Sequence, residues 1–522
     1  MLKPQFEKLE NALKRHNKAK AYGIIKRITA SNCSPEDYWT ITSLCLNHNF
    51  PDQGIKNFKQ LLKLSPVSAE VIIPFLDKDD TVLSLELRLR LAELAFQADR
   101  NNGGIKLALG ILLSNSDRFD KAESMFIDVI ETGFMPSATM LCLSEVYYKQ
   151  NRYHDAMASS QMAVELEPDN PKGYYFTGLV HVALNNFTEA VQFLKKTIEM
   201  EPEHPGAHIN LAQIMLKLGF FDEGWQHHEW RFFDPKGQIN KITFPFPQWR
   251  GSDLKGKSLL VWVDQGLGDQ MMAATFFNRL LDAGCRLSVM ADARLESLFN
   301  NSFNLEAFFP FNESGLKKIN NQVFDFHISM GTLPAYFIHC FEDFSGEAFL
   351  KPDPDKVMRI REKLKADYPE KMLIGFGWRG GLSATRKYAR NIVLSNWRQV
   401  LSRPDCQFIN FQYDSTKEEA DIVASYGGIS PDIDTRNDID NLAAYIAALD
   451  LFISADNSNV HLAGAIGTPV WNLVPFSGEW RWFLDETNSY WYDSMTLQRQ
   501  VSMDSWEEVF QRFNNDLDHF VQ

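Results

Sequence analysis

The sequence predicts an α-helical solenoid followed by an α/β region that contains two parallel sheets. A pattern of small and aromatic residues repeats every 34 positions, for example from position 110 to positions 144 and 178. In the second half of the chain, short apolar strands alternate with helices, which is typical of parallel α/β folds. Between the two halves lies FPFPQWRGSDLKGK (244–257), a linker rich in proline, glycine and polar residues.

The repeat combines columns of small, aromatic and proline residues. The columns are Gly110, Ser144, Gly178 and Ala212; Phe119, Tyr153, Phe187 and Phe221; Ala122, Ala156, Ala190 and Gly224; and Pro168 with Pro202. Small residues let two helices pack closely, an aromatic side chain fills the gap between them, and proline ends the second helix. This pattern resembles the tetratricopeptide repeat. The clear repeats cover 103–234, a weaker unit covers 35–66, and residues 1–34 and 69–100 are predicted as further helices.

A tetratricopeptide array implies a superhelix with a concave binding surface. We expect residues 1–235 to form this α superhelix and to hold an acceptor protein or peptide on that surface. The alternative use of the array is as a packing scaffold or a dimer interface. In the second case the protein would be a homo-oligomer.

Two α/β domains are predicted after the array, over 236–351 and 352–522. Their strands are SLLVWVD (258–264), RLSVMAD (286–292), FDFHISM (324–330), KMLIGFGW (371–378), CQFINFQ (406–412), LDLFISA (449–455) and TPVWNLV (468–474). The stretch SWEEVFQRFNNDLDHF (505–520) is predicted as a final amphipathic helix. In open parallel sheets, ligands bind at the carboxyl ends of the strands, so the loops at those ends are the candidate sites.

Composition argues against several classes of protein. The formal net charge is −14, from 53 Lys and Arg against 67 Asp and Glu, which argues against nucleic-acid or anionic-membrane binding. The six cysteines are scattered without a C-x-x-C pair, so neither a disulfide framework nor a structural zinc site is expected. The N-terminus is polar, unlike a signal peptide, and no apolar run reaches the roughly 18 residues of a membrane span. We therefore expect a cytoplasmic protein.

The first candidate loop is Gln265-Gly266-Leu267-Gly268-Asp269, directly after the strand at 258–264. A G-x-G turn is a weak signal by itself, because a dinucleotide site would add a third glycine. Here an acid, Asp269, stands at the start of the next helix instead. Asp269 is a candidate for catalysis, and the alternative is a helix cap that contributes about 0.5–2 kcal/mol.

The second candidate loop, RGGLSATRKYARN, is basic. Between Lys371 and Pro404 there are seven Lys or Arg residues and no Asp or Glu. The basic residues just past the strand end are Arg379, Arg386, Lys387 and Arg390. A phosphate group is a natural partner for such a cluster. The alternative is a solvated loop that pairs with acids elsewhere.

The third candidate loop, Asp456-Asn457-Ser458-Asn459-Val460-His461, leads from a buried strand into a helix. Free backbone N–H groups at the start of that helix, together with the hydroxyl of Ser458, predict an anion site. His461 lies one turn into the helix. It is either part of that site or a histidine satisfied within the core.

At these loops the sequence resembles a known family. The segments LLVWVDQGLGDQ, DNSNVHLAGAIGTPVWNLVP, EWRWF and WYDSM look like the glycosyltransferase domain of bacterial tetratricopeptide glycosyltransferases. That domain is similar to the ADP-heptose:lipopolysaccharide heptosyltransferases, and the resemblance covers about residues 245–510. It implies a GT-B fold of two Rossmann-like domains, with a C-terminal helix that crosses back to the first domain.

The resemblance also implies roles for individual residues. Asp269, next to Gly268, matches the proposed catalytic base. The residues that match the nucleotide-diphosphate loop are Asp456, Ser458, Asn459 and His461. Arg386 or Lys387 would contact the phosphates with Arg379 nearby, and Gln412 matches a position near the nucleotide. The pair Asn457-Ser458 replaces the family's Thr-Gly, which leaves the sugar donor open, whether hexosyl, heptosyl or nonulosonyl.

The implied reaction is an inverting transfer of a sugar from a nucleotide-sugar donor, with no metal and no bound cofactor. The repeat array, absent from lipopolysaccharide heptosyltransferases, points to a protein acceptor such as flagellin. Two alternatives stay open. One is an interaction scaffold with an inactive transferase domain, and the other is a transferase that acts on lipopolysaccharide or capsule glycan. Asp432-Ile433-Asp434 resembles a metal-binding D-x-D motif but is interpreted as a solvated turn.

Overall fold

The structure is a computed structural model in which the chain divides into two compact units. The described residues are 2–31, 33–65, 69–77, 83–234, 239, 241–380, 391–484, 487–503 and 505–521. One unit comprises Met1–Leu184 with Glu199–Glu201, and the other comprises Asn185–Ile198 with Pro202–Gln522. The domain boundaries predicted at 235 and 351 stay predictions.

The first unit is α-helical throughout its described part, as the repeat pattern predicts. Its helices are α1 (Lys3–Lys14), α2 (Lys18–Thr29), α3 (Pro35–Asn47), α4 (Pro51–Leu64), α5 (Ala69–Leu76), α6 (Leu85–Ala98), α7 (Gly103–Asn115), α8 (Phe119–Glu131), α9 (Pro136–Lys149), α10 (Tyr153–Leu166) and α11 (Pro171–Ala183). Helix α12 (Phe187–Met200) runs across the division between the units. None of the described helices has the length and apolarity needed to span a membrane.

The small residues of the repeat hold each pair of helices together. Ala122 and Ala156 have no exposed surface, and the hydroxyl of Ser144 donates a 2.9 Å hydrogen bond to the carbonyl of Ala156. The aromatic column opens the second helix of each pair, since Phe119 begins α8 and Tyr153 begins α10. Two helices that approach this closely leave no room for larger side chains at these positions.

The contact at Gly110 gives a stability prediction. A Cβ atom at Gly110 would lie 2.5 Å from Cε1 of Phe126 on α8, so Gly110→Ala should lower the free energy of unfolding by about 1–3 kcal/mol. At Gly23, inside α2, a Cβ would meet nothing within 4 Å. Gly23→Ala should therefore raise the free energy of unfolding by about 0.5–1 kcal/mol. Urea unfolding followed by circular dichroism measures both, and equal effects would contradict the packing role of Gly110.

The second unit begins with the end of the array and continues into a four-stranded sheet. Helices α13 (Pro205–Lys217) and α14 (Phe221–His228) are followed by the 3-10 turn Glu229–Phe233. The sheet elements are β1 (Ser258–Trp262), α15 (Leu267–Ala273), α16 (Phe277–Asp282), β2 (Arg286–Ala291), α17 (Glu296–Ser302), β3 (Ala307–Pro310), α18 (Glu313–Asn320) and β4 (Phe326–Ser329). The strand order is β3-β2-β1-β4 and all neighbours are parallel.

A second parallel sheet, of five strands, follows in the chain. Its elements are α19 (Pro354–Asp367), β5 (Met372–Gly377), α20 (Arg398–Leu401), β6 (Cys406–Asn410), α21 (Lys417–Ser425), α22 (Ile439–Ala447), β7 (Leu451–Ala455), α23 (Ser458–Ile466), β8 (Val470–Val474), β9 (Met495–Arg499) and α24 (Glu507–Val521). The strand order is β6-β5-β7-β8-β9. All seven strands predicted from the sequence are present, and β3 and β9 are two further edge strands.

The C-terminal helix does not lie where the resemblance predicts it. The sequence analysis expects α24 to cross back to the first α/β domain. In the structure its apolar residues Val509, Phe510 and Phe513 pack with Trp397 in the core of the second sheet. Ring contacts between Phe344 and Trp491, 4.8 Å apart, join the two domains instead. The segment before β9 therefore makes the return contact that was expected of α24.

The last repeat is built into the α/β region rather than appended to it. The indole Nε1 of Trp225, on α14, donates to the carbonyl of Ile338 at 2.9 Å, and its ring meets Trp480 edge-on at 5.4 Å. Lys217, on α13, donates to the carbonyl of Gly478 at 2.8 Å. These contacts reach both α/β domains, so a truncation at residue 234 would cut through their shared core.

Candidate functional site

The two sheets each have a point where the strand order reverses. In the first sheet the chain places β2 and β3 on one side of β1 and β4 on the other. In the second, β6 and β7 flank β5 on opposite sides. Ligands of open parallel sheets bind at such points, outside the carboxyl ends of the strands. The candidate loops after β1 and β7 lie there, and so does Arg379 at the start of the candidate loop after β5.

Asp269 is held by a residue from the other α/β domain. It lies in the first turn of α15, and its Oδ1 accepts a 2.6 Å hydrogen bond from Nη1 of Arg481. The side chains of Asp269 and Arg481 are 24% and 14% exposed. Within the described part of the chain, Asp269 has no other hydrogen bond, so Oδ2 stays available near Gly266. Asp269 therefore forms an ion pair. Its side chain does not cap the helix, which was the alternative role.

Arg481 stays charged although it is largely buried. Burial disfavours its charged form, but Asp269, Glu479 and Asp456 together outweigh that effect and raise the pKa of Arg481. The guanidinium thus sits among three carboxylates drawn from both sides of the site. A permanently charged group in this position fixes the Asp269 carboxylate by a charge-assisted hydrogen bond.

Gly268 allows α15 to lie directly against α23. A Cβ atom at Gly268 would lie 2.9 Å from Cδ2 of His461 and 3.5 Å from Cα of Ser458. His461 is buried, stacks on Trp482 at 5.1 Å, and shares a 3.0 Å hydrogen bond with the hydroxyl of Tyr492. This packing fits the alternative in which His461 is a core histidine. It also brings Ser458, which is partly exposed, next to the turn that carries Asp269.

The other residues of the third loop shape the start of α23. Asn457 caps the helix by accepting from the backbone N–H of Asn459, at 2.9 Å. The Asn459 side chain is buried and donates to the carbonyl of Phe411 at 3.4 Å. Asp456 is buried as well, and its charge is one of those that raise the pKa of Arg481. Asn459 therefore has a structural partner, while Ser458 stands at the helix N-terminus.

Arg379, in the described part of the second loop, forms ion pairs. Arg379 donates to Asp414 at 3.0 Å and to both oxygens of Glu419, which fits the alternative of an ion-paired loop. Gln412 accepts from the backbone N–H groups of Trp378 and Arg379, at 2.9 and 2.8 Å, and so joins β5 to β6. The phosphate-binding roles of both stay predictions. The other basic residues of the loop lie outside the described residues: Arg386, Lys387 and Arg390.

The D-x-D sequence forms a turn. Asp434 is exposed, and its Oδ1 accepts hydrogen bonds of 3.0 Å from the backbone N–H groups of Arg436 and Asn437. This agrees with the solvated turn expected from the sequence.

A cavity of about 870 Å³ opens beside Asp269. Residues after β1 and from the segment at Trp480 line it, together with Ile209 and Gln213 of the last repeat. Its described charged lining residues are Arg231, Arg294, Arg481, Asp234, Asp264, Asp269, Asp292 and Glu479. The cavity therefore joins the turn that carries Asp269 to the last repeat.

A buried ion pair forms one wall of this cavity. Arg231 and Asp264 are 4% and 0% exposed, and Nη2 of Arg231 donates to Oδ2 of Asp264 at 2.7 Å. Arg231 also donates to Glu229, Ser329 and Thr332, at 2.7, 3.1 and 2.9 Å. The pair joins the turn after α14 to the carboxyl ends of β1 and β4, and so fixes the last repeat on the first sheet.

His228 sits between two arginines and is neutral. Burial, then Arg231 and Arg481, hold the pKa of His228 well below its usual range. Arg231 donates to its Nδ1 at 3.1 Å, which places the imidazole proton on Nε2. Nε2 of His228 lies 3.4 Å from Nε2 of Gln265, and the low pKa makes His228 a poor base.

Several residues that line the cavity from elsewhere in the chain were not predicted from the sequence. Asp264 stands directly at the end of a buried strand, a signal that could have been used. Arg481 lies in the EWRWF segment, between two tryptophans, and could have been singled out as a cation among aromatic residues. Nothing local marks Arg231 as part of the site, because Asp264, its buried partner, lies 33 positions away in the sequence.

Comparisons with known proteins agree with this two-part architecture. The model of the family "Anaphase-promoting complex, cyclosome, subunit 3" matches residues 149–230. Protein FlbA of Caulobacter vibrioides is 31% identical over 329 residues, which are 59% of this chain and 54% of that protein. The chain spans about half the length of that curated relative. The chain itself joins a helical repeat array to an α/β region with two parallel sheets.

Solved structures resemble each part separately. A glycosyl transferase family 9 protein from Veillonella parvula DSM 2008 is 12% identical, with a TM-score of 0.39, over 52% of this chain and 99% of its own. The E. coli ADP-heptose lps heptosyltransferase II is 12% identical, with a TM-score of 0.38, over 51% of this chain and 98% of its own. YrrB, a TPR protein with an unusual peptide-binding site, is 19% identical, with a TM-score of 0.25, over 33% of this chain and 88% of its own.

Proposed function

We propose that this protein is an inverting glycosyltransferase that moves a sugar from a nucleotide-sugar donor to a protein acceptor. The observation that carries the proposal is the position of Asp269. It stands at the switch point of one sheet, beside the N-terminus of α23 from the other sheet, and at the mouth of a cavity. One of its oxygens is fixed by Arg481, and the other is available to accept a proton.

Asp269 fits the role of base better than the neighbouring groups. Asp264 has Oδ2 bound by Arg231 and Oδ1 by the backbone N–H of Gly331 at 2.9 Å. Hydrogen bonds from Arg294 lower the pKa of Asp292 and make it a weaker base. Burial, then Arg231 and Arg481, hold the pKa of His228 well below its usual range, so it is a poor base. Among these groups Asp269 combines a fixed orientation with an available oxygen.

The proposed step transfers one proton and one glycosyl group. Oδ2 of Asp269 takes the proton of the acceptor hydroxyl while that oxygen attacks the anomeric carbon from the side opposite the phosphate. A new carbon–oxygen bond forms, the bond to the phosphate breaks, and its electron pair leaves with the nucleoside diphosphate. The configuration at the anomeric carbon is inverted. In this proposal no metal and no bound cofactor takes part.

The developing charge on the diphosphate is assigned to the N-terminus of α23. The helix has nine residues, begins at Ser458, and presents free backbone N–H groups there. Ser458 is the residue of that first turn with an accessible hydroxyl. The positive end of the helix dipole and the hydroxyl would stabilise the leaving group.

Nucleotide binding can be tested at Ser458. A panel of nucleotide-diphosphate sugars should stabilise the wild-type protein against heat, by about 2.7 kcal/mol at one hundred times the dissociation constant. Ser458→Asp places a negative charge where the diphosphate is expected and should abolish that stabilisation. The same charge favours a helix N-terminus by about 0.3–1 kcal/mol, so the unliganded protein should not melt earlier.

Ser458→Ala is the matched control, because it removes the hydroxyl without adding charge. It should weaken binding by about 0.5–1.5 kcal/mol, the value of one hydrogen bond. Undiminished nucleotide binding by Ser458→Asp would move the donor site away from α23. No stabilisation of the wild-type protein by any nucleotide sugar would favour the inactive scaffold.

A further inference from the structure

Arg481, which holds Asp269, belongs to an irregular segment at 476–483 that follows β8. Within this fully described segment the one regular element is the 3-10 turn Trp480–Trp482. Backbone that lacks the hydrogen bonds of a helix or a sheet must take its shape from other contacts. The position of Arg481, and of the carboxylate bonded to it, therefore depends on what holds the segment at 476–483.

The repeat array holds the first part of this segment by two hydrogen bonds. Nδ2 of Asn185, in the turn before α12, donates to the carbonyl of Phe476 at 2.9 Å. Nζ of Lys217, on α13, donates to the carbonyl of Gly478 at 2.8 Å. Lys217 is buried, and hydrogen bonds from a charged donor are roughly twice as strong as those between neutral groups. The backbone is thus fixed just before Arg481.

Aromatic side chains of α14 hold the rest of the segment. The ring of Trp225 meets Trp480 edge-on at 5.4 Å, and the ring of Phe221 meets Phe483 at 6.1 Å. Phe483 has a φ of 51° and a ψ of −155°, a region of backbone that favours glycine. Such a conformation persists only where the surrounding contacts hold it. Contacts from the array therefore lie on both sides of Arg481 along the chain.

We propose that the last repeats position the catalytic base, and that Lys217 is a positioning residue that acts on Asp269 through Gly478 and Arg481. The inference rests on the proposed function, since it names a residue that serves the same base. Lys217 fixes the segment, the segment fixes Arg481, and Nη1 of Arg481 fixes Oδ1 of Asp269 at 2.6 Å. The orientation of Oδ2, which takes the proton, follows. A displacement of about 1 Å at a reacting group can lower a rate by about 10²-fold.

The test uses the full-length protein and needs no known acceptor. The probe is the nucleotide sugar that most stabilises the wild-type protein against heat, with water as the acceptor. Oδ2 of Asp269 takes a proton from water, the water oxygen bonds to the anomeric carbon, and the nucleoside diphosphate leaves with the electron pair of the broken bond. Single-turnover release of nucleoside diphosphate measures this step, and calorimetry with the same nucleoside diphosphate measures binding.

Two variants release the segment by different means. Lys217→Met keeps an apolar stem and removes the ammonium donor to Gly478. The rate should fall about tenfold, while nucleotide binding stays within about twofold of wild type. Asn185 has a φ of 59°, so Asn185→Gly keeps the backbone and removes the amide that holds Phe476. The rate should fall only about threefold, because this hydrogen bond is between neutral groups.

A double variant distinguishes positioning from a general loss of packing. Arg481→Met alone should lower the rate roughly 10–100-fold. If Lys217 acts through Arg481, adding Lys217→Met to Arg481→Met should lower the rate by no more than about twofold. Independent effects would instead multiply and lower it about tenfold further.

Two controls account for the loss of a lysine and for the loss of stability. Lys195→Met is the matched substitution, because Lys195 lies on α12 and pairs with Glu223 at 2.9 Å, outside the segment. Gly110→Ala destabilises the first compact unit, which does not include the segment. Both controls should keep the wild-type rate.

Each other result overturns a stated claim. A wild-type rate in Lys217→Met, with Asp269→Asn inactive, would remove Lys217 from catalysis and leave the proposed function intact. Multiplied losses in the double variant would reduce Lys217 to a packing residue. If Lys217→Met does not fold, Asn185→Gly alone and combined with Arg481→Met gives the same comparison. Absence of nucleoside diphosphate release by the wild type would refute the proposed function, and this inference with it.

Discussion

Asp269→Asn should lower the rate of sugar transfer by about 10²–10⁴-fold, because an amide cannot take the proton of the acceptor hydroxyl. The substitution keeps the size of the side chain, and its carbonyl oxygen can still accept a hydrogen bond from Arg481. Donor binding at α23 should therefore stay close to wild type. Single-turnover transfer at saturating donor measures the chemical step, and calorimetry with the nucleotide measures binding.

The ion pair with Arg481 adds a cost in stability that the sequence did not predict. From the sequence, Asp269→Asn would be expected to leave the melting temperature unchanged. In the structure it replaces a charge-assisted hydrogen bond by a neutral one, and a loss of about 1 kcal/mol is expected. Asp405→Asn is the matched control. Asp405 also pairs with a largely buried arginine, Arg403, at 2.6 Å, and it does not line the cavity.

The two variants separate catalysis from stability. Asp405→Asn should lose a similar amount of stability and keep its activity, whereas Asp269→Asn should lose activity far beyond its change in stability. Equal activities would reduce Asp269 to a structural partner of Arg481. The second carboxylate beside Arg481 is Glu479, so Glu479→Gln is the remaining comparison. Loss of transfer in Glu479→Gln, with activity retained in Asp269→Asn, would assign the base to Glu479.

Secondary structure was predictable wherever the local pattern is strong. The repeat columns at Gly110 and Phe119 identify the helical pairs, because close helix packing requires small residues at a fixed spacing. The central strands are continuous apolar runs that both faces of the sheet bury, as β1 and β7 show. The edge strands β3 and β9 are less uniformly buried than β1 and β7, and their patterns were too weak to recognise.

The candidate site was predictable only in part, for a physical reason. Loops at the ends of central strands carry Asp269 and Ser458, and the rule that ligands bind there identifies both from the sequence. The ion pairs of Arg379 could not be predicted, because its partners, Asp414 and Glu419, come from the next loop and helix. A net count of local charge cannot show such pairing. Arg481 reaches Asp269 across 212 positions of sequence, a contact that no local pattern encodes.

The end of the repeat array and the α/β region are not independent modules. The pattern of the last repeat is regular up to Gly224, yet its helices pack on both sheets through Trp225 and Lys217. The change of periodicity after Phe233 therefore marks where the secondary structure changes, not where the packing ends. The last repeat and the turn that carries Asp269 also line the same cavity.

Arg231→Met should be the most destabilising of the substitutions considered, with a loss of about 3–5 kcal/mol in the free energy of unfolding. Methionine matches the length of the arginine stem but leaves the carboxylate of Asp264 buried with the backbone N–H of Gly331 as its remaining described hydrogen-bond donor. The acceptors Ser329 and Thr332 also lose a donor. Urea unfolding of the full chain, followed by tryptophan fluorescence, measures the loss.

Arg294→Met is the matched control, because Arg294 forms an equally short pair with Asp292 in the wall of the same cavity. That pair is 30% and 28% exposed, and a loss of only about 0–1 kcal/mol is expected. A second test removes both partners of the buried pair. Replacing Arg231 by methionine and Asp264 by leucine leaves no uncompensated charge, so the double variant should recover part of the lost stability. A double variant that is less stable than Arg231→Met would show that the ion pair contributes net stability, and that burial of the lone carboxylate is not the main cost.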